Sequence, residues 1–88
     1  MDVNSADYLL KICGYERNDC LGCLSYKQTL NIDPDYAKYT YLVFDEVSQA
    51  AEVATLDSYD VPCRTILTMA EITAIRAKCR ELGWNNEL

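Results

Sequence analysis

Tyr39-Thr40-Tyr41-Leu42-Val43-Phe44, bounded by Asp45-Glu46, is the stretch that decides how this chain folds. Six consecutive residues that mostly favour strand make a poor helix interior, because β-branched and aromatic side chains lose rotamer freedom against the preceding turn. Residues 39–44 are therefore read as a buried or half-buried strand. A rival reading joins Pro34 through Leu56 into one long helix, since Tyr36, Val43, Val47, Ala50 and Ala54 also fit a period of about 3.6. That alternative would make the chain an all-α bundle.

Working outward, residues 48–56 read as a helix, with Val47, Ala50, Ala51 and Ala54 on one face. Asp57-Ser58-Tyr59-Asp60 is turn chemistry, and a short second strand is expected over residues 63–67. Thr68-Met69-Ala70-Glu71 is a capping box opening a helix that buries Ile72, Ile75, Cys79 and Leu82 and stops at Gly83. Upstream, Tyr8, Leu9, Ile12 and Cys13 at helical spacing predict a helix over 4–13, capped by Asn4 or Ser5. A second helix is expected over 19–30, on Cys20, Leu21, Cys23, Leu24 and Lys27. The expected fold is thus α+β with an α/β-like core: an N-terminal helix pair, then strand-helix-strand-helix with a small sheet. The strand-helix-strand portion would form a right-handed parallel crossover, its open edges calling for a partner or a homodimer mate.

Eighty-eight residues make a single domain the natural organisation, spanning 1–88. Leu, Ile, Val and Phe together number 21, enough to fold rather than stay disordered. Fourteen acidic residues against eight basic ones give a net charge of −6, with no histidine. That balance disfavours direct nucleic-acid binding and anionic membrane surfaces, both of which need a basic face. Without histidine, Ser-His and Cys-His nucleophiles and two-His metal sites are excluded. The N-terminus lacks a basic leader and the longest strongly apolar run is residues 41–44, so a cytoplasmic location is expected.

Cys13, Cys20 and Cys23 lie within eleven residues, and the Cys20-Leu21-Gly22-Cys23 pair could place two thiolates on one tetrahedral ion. With Cys63 as a fourth ligand, these cysteines form the candidate zinc set, the alternative to a chain with no cofactor. The same Cys-x-x-Cys pair carries a third reading, thiol exchange or sulfur transfer. Otherwise reduced cysteines act as small hydrophobes.

Partitioned along the chain, the charge is concentrated. Residues 1–32 carry −1 and residues 63–88 carry +1, whereas residues 33–62 hold Asp33, Asp35, Asp45, Glu46, Glu52, Asp57 and Asp60 against Lys38, a net of −6. Tyr36, Tyr39, Tyr41 and Tyr59 lie in the same block. Carboxylates interleaved with tyrosines suit a docking surface for a larger protein with a basic groove, because opposite charge accelerates encounter and tyrosine is enriched at interfaces. Adjacent carboxylates such as Asp45-Glu46 do not converge on one point in a strand, and no phosphate loop or nucleophile elbow accompanies them, so no enzyme is expected. Small size, acidity and the lack of catalytic groups are similar in kind to phage-encoded inhibitors of bacterial defence nucleases, including anti-CRISPR proteins. That likeness implies a non-catalytic inhibitor acting in the host cytoplasm of a phage.

Overall fold

A computed structural model of the chain describes residues 5–19 and 22–84. They fall into two units, one of residues 15–66 and one formed by the two ends of the chain, up to residue 14 and from residue 67.

The first unit is a five-stranded antiparallel meander: β1 (Tyr15–Arg17), β2 (Leu24–Asp33), β3 (Tyr36–Asp45), β4 (Ala50–Asp57) and β5 (Pro62–Cys63), in that spatial order. β3 lies at its centre, paired with β2 from Leu24↔Phe44 to Asp33↔Tyr36 and with β4 from Lys38↔Asp57 to Asp45↔Ala50. One face carries the row Tyr26, Leu42 and Val53, with Phe44 two residues on. Phe44 and Leu42 are each only 1% exposed, and the Tyr26 ring meets Phe44 edge-on with centroids 6.0 Å apart. On the same face Thr55 shares its hydroxyl with those of Thr40 at 3.1 Å and Thr65 at 2.9 Å, which satisfies polar groups drawn into a buried environment. The opposite face carries Lys27 between the rings of Tyr39 and Tyr41, 4.5 and 5.8 Å from their centroids. Cation–π attraction orders those two rings.

The expected architecture is corrected in three places. Residues 19–30 are not a helix: the described part forms the β1–β2 turn and most of β2. Leu24, Tyr26, Leu30 and Ile32 alternate with Ser25, Lys27, Thr29 and Asn31, the period-2 pattern of a strand, and that alternation outweighs the local helical spacing. Residues 48–56 are not a helix either. Ser48 and Gln49 belong to the β3–β4 turn, Gln49 holding a left-handed φ of 53°, and Ala50–Asp57 is strand β4. Alanine's helix preference yields there to a complete ladder against β3. The expected second strand over 63–67 shrinks to Pro62–Cys63, and every pairing is antiparallel, so there is neither a parallel crossover nor an all-α bundle.

The second unit pairs α1 (Ala6–Ile12) with α2 (Met69–Glu81). Ser5 Oγ caps α1 by accepting from Tyr8 N, whereas Asn4, the other candidate cap, lies outside the described residues. Thr68 and Glu71 form the capping box of α2, each side chain accepting from the other's backbone amide. Gly83, at φ 81°, ends α2, and Trp84 N returns to the Cys79 carbonyl at 2.9 Å. The buried stripe of α2 is Glu71, Ala74 and Lys78, whereas Ile72, Ile75, Cys79 and Leu82 are half-buried. Small and polar positions therefore face inward here, made tolerable by polar partners.

Lys78 shows how. Its side chain is 6% exposed and its ammonium lies 3.0 Å from both Asp7 and Glu81, and the second Glu81 oxygen accepts from Ala6 N. Burying a charge is costly unless it is paired, and removing the partners costs more than replacing the buried ion by an apolar chain. D7N/E81Q is expected to destabilise the protein by about 1–3 kcal/mol, the lower end reflecting the water that reaches both carboxylates. K78M should fall within about 1 kcal/mol of wild type. Urea unfolding of both variants checks the order.

Candidate interaction site at one end of the sheet

In a meander, alternate turns emerge at the same end, so the β2–β3 and β4–β5 turns share one end while the β3–β4 turn lies at the other. The acidic block is accordingly divided. Asp33, Asp35, Tyr36, Asp57, Tyr59 and Asp60 gather at the first end, and Asp45 and Glu46 stand at the opposite one. Glu52, in register with Val43, lies mid-strand on the face that bears Tyr39 and Tyr41.

Asp57 organises the first end. Its Oδ1 accepts from Tyr59 N at 2.8 Å and Val61 N at 2.9 Å, and its Oδ2 accepts from the Tyr36 hydroxyl at 3.3 Å. The residue is 7% exposed, so it builds the turn rather than meeting a partner. Ser58 ties that turn to β3 by donating its N–H to the Ala37 carbonyl, 2.9 Å away. Asp60, at φ 62°, occupies the left-handed region that aspartate tolerates better than most residues. In the neighbouring turn Asp33 Oδ1 accepts from Asp35 N at 2.8 Å beside Pro34. The Tyr36 and Tyr59 rings lie 6.3 Å apart, tilted by 33°, across the two turns. What reaches solvent is therefore Asp33, Asp35, Asp60 and a Tyr59 that is 70% exposed, flanked by exposed Val61.

The electrostatics follow from these bonds. The amides of Val61 and Tyr59 hold the Asp57 carboxyl below the usual aspartate range, opposed by its burial and helped by the Tyr36 hydroxyl and Lys38. Burial and the Asp57 charge push the Tyr36 hydroxyl up, so it stays protonated and donates. Because the Asp57 pKa is lower folded than unfolded, its contribution is complete above the unfolded pKa near 3.8 and disappears as pH falls through the folded value. Asp45, held down by the Ser48 side chain and Val47 N, and Asp19, held down by Arg17, lose stability in the same acid window. D57N should therefore flatten part of the fall in thermal midpoint below about pH 4. D57A, which leaves two turn amides without their acceptor, should lower that midpoint at neutral pH by on the order of 10 °C. Thermal scans across pH read both.

Of the candidate zinc ligands, Cys23 and Cys63 belong to the sheet unit and lie far apart within it. Cys20 lies outside the described residues, and Cys13 belongs to the helix unit. Cys63 is in register with Thr55, Thr40 and Gln28, whereas Cys23 precedes Leu24 at the other end of β2. Three strand spacings and several residue rises separate Cys23 from Cys63, roughly 20 Å, so they do not share one ion. Among the described residues no three cysteine or carboxylate side chains form a group able to hold a metal. Burial pushes the Cys13 and Cys79 thiols up, with Glu71 adding to the effect at Cys13.

Three features escaped the sequence reading: the Asp57 turn network, Lys27 between two tyrosines, and the buried Lys78. Asp57-Ser58-Tyr59-Asp60 signals a turn, but nothing in the residue order says that Tyr36 closes on it. Among known protein families, curated proteins and solved structures, the chain finds no match. No helix among the described residues is long and apolar enough to cross a membrane.

Proposed function

We propose that this chain is a small non-catalytic interaction protein that docks the acidic, tyrosine-bearing end of its sheet into a basic groove of a larger protein and thereby inhibits it. The observation that carries the reading is the convergence of Asp33, Asp35 and Asp60 with the exposed Tyr59 ring at one end of the meander. Carboxylates rimming an exposed aromatic ring supply both parts of a protein interface, long-range steering and an apolar anchor that loses water on docking. A groove that normally holds nucleic acid is the partner of matching chemistry, which supports reading the protein as an inhibitor of a nucleic-acid-handling defence complex, of the anti-CRISPR kind, in the cytoplasm of a phage host. Asp45, Glu46 and Glu52, away from this end, serve as charged surface rather than as anchors.

The test is a pull-down of purified nucleic-acid-handling enzymes at low and high salt. Capture that falls with salt and is lost with Y59A supports the proposal. Capture indifferent to Y59A overturns the proposed anchor.

A further inference from the structure

The helix unit holds a feature at odds with the chain's overall charge. A groove of about 320 Å³ is lined by Leu9 of α1 and by Thr73, Arg76, Ala77 and Arg80 of α2. Arg76 and Arg80 are exposed and one helical turn apart, which places their Cβ atoms roughly 6 Å from each other. Like charges at this spacing repel. Carboxylates outnumber cations in this chain, yet neither guanidinium makes an ion pair among the described residues. The described carboxylates of the helix unit are engaged elsewhere: Asp7 and Glu81 on Lys78, the second Glu81 oxygen on Ala6 N, and Glu71 in the α2 cap.

We propose that this groove binds a small phosphate monoester, its dianion held by Arg76 and Arg80 and its organic part lying against Leu9 and Ala77. The stoichiometry of donors selects the ligand class. A carboxylate carries one negative charge and offsets only one of the two guanidiniums, whereas a phosphate monoester dianion carries close to two and offers three oxygens to two forks and the Thr73 hydroxyl. A polyanionic backbone is disfavoured, because two cations in a chain of net charge −6 cannot offset its remaining phosphates. The groove's volume lies at the lower end of the range for small-molecule sites. This site is built from residues of the helix unit and shares none with the proposed protein interface, which belongs to the sheet unit.

The experiment is titration of the whole protein with phenyl phosphate, inorganic phosphate, chloride at matched ionic strength, and phosphatidylcholine vesicles containing phosphatidic acid, followed by amide chemical shifts. Phenyl phosphate should bind saturably and more tightly than inorganic phosphate, with shifts centred on Leu9, Thr73, Arg76, Ala77 and Arg80. R76Q and R80Q should each weaken it roughly tenfold, as loss of a charge-assisted hydrogen bond does, with helix content unchanged. D33N/D35N/D60N should bind phenyl phosphate like wild type, which separates this site from the sheet end. No saturable binding of either soluble phosphate, equal affinity in R76Q/R80Q, or binding to vesicles alone would overturn the proposal.

Discussion

Phe44→Ala is expected to destabilise the protein by about 3–5 kcal/mol, a large fraction of the stability of a domain this small. Phe44 is 1% exposed at the paired end of the central strand, in register with Leu24 and Ala51 and edge-on to Tyr26. It is the chain's one phenylalanine. Truncation removes its buried apolar area and the aromatic pair together, and a central strand hydrogen-bonded on both sides has little freedom to close the cavity. Urea unfolding should show a lower midpoint for F44A at an unchanged slope, and Phe44→Leu should recover most of the loss. A loss below about 1 kcal/mol would mean the ring is not part of the packed face.

The parts of the fold legible in the sequence were those set by local chemistry. Thr68-Met69-Ala70-Glu71 marks α2 because its capping box is written within four residues, and Gly83 marks its end for the same reason. Tyr39–Phe44 reads as strand because all of its side chains except Leu42 are β-branched or aromatic and disfavour helix. β4 was not legible: Ala50, Ala51 and Ala54 favour helix, and only pairing along β3 makes them strand. β2 carries its alternation openly in Leu24, Tyr26, Leu30 and Ile32, but the cysteine spacing upstream pointed to a helical period instead. For the candidate site, the sequence located the charge and the tyrosines along the chain but not in space. Once β4 is a strand rather than a helix, Asp57 and Tyr59 return to Asp33 and Tyr36, and Asp45 and Glu46 move to the far end.

The other large expected effect is on association. Neutralising Asp33, Asp35 and Asp60 removes the exposed carboxylates at the tyrosine-bearing end while leaving the Asp57 network and both aromatic rings in place. Electrostatic steering changes association rates by about 10- to 1000-fold, so D33N/D35N/D60N should slow docking by at least about tenfold at low salt and show a flatter salt dependence. In the proposed complex Tyr59 acts after encounter, as the ring that loses water on docking. Y59A should therefore raise the dissociation rate by roughly 30-fold, corresponding to about 2 kcal/mol, with little change in the rate of encounter.

The most direct measurement is the association rate with a captured partner across a salt series, comparing wild type, D33N/D35N/D60N and D45N/E46Q. A loss confined to D33N/D35N/D60N, with D45N/E46Q within about twofold of wild type, is the predicted result. Equal losses from the two ends, or no loss from either, would contradict the assignment of the interface to the end of the sheet that carries Tyr36 and Tyr59.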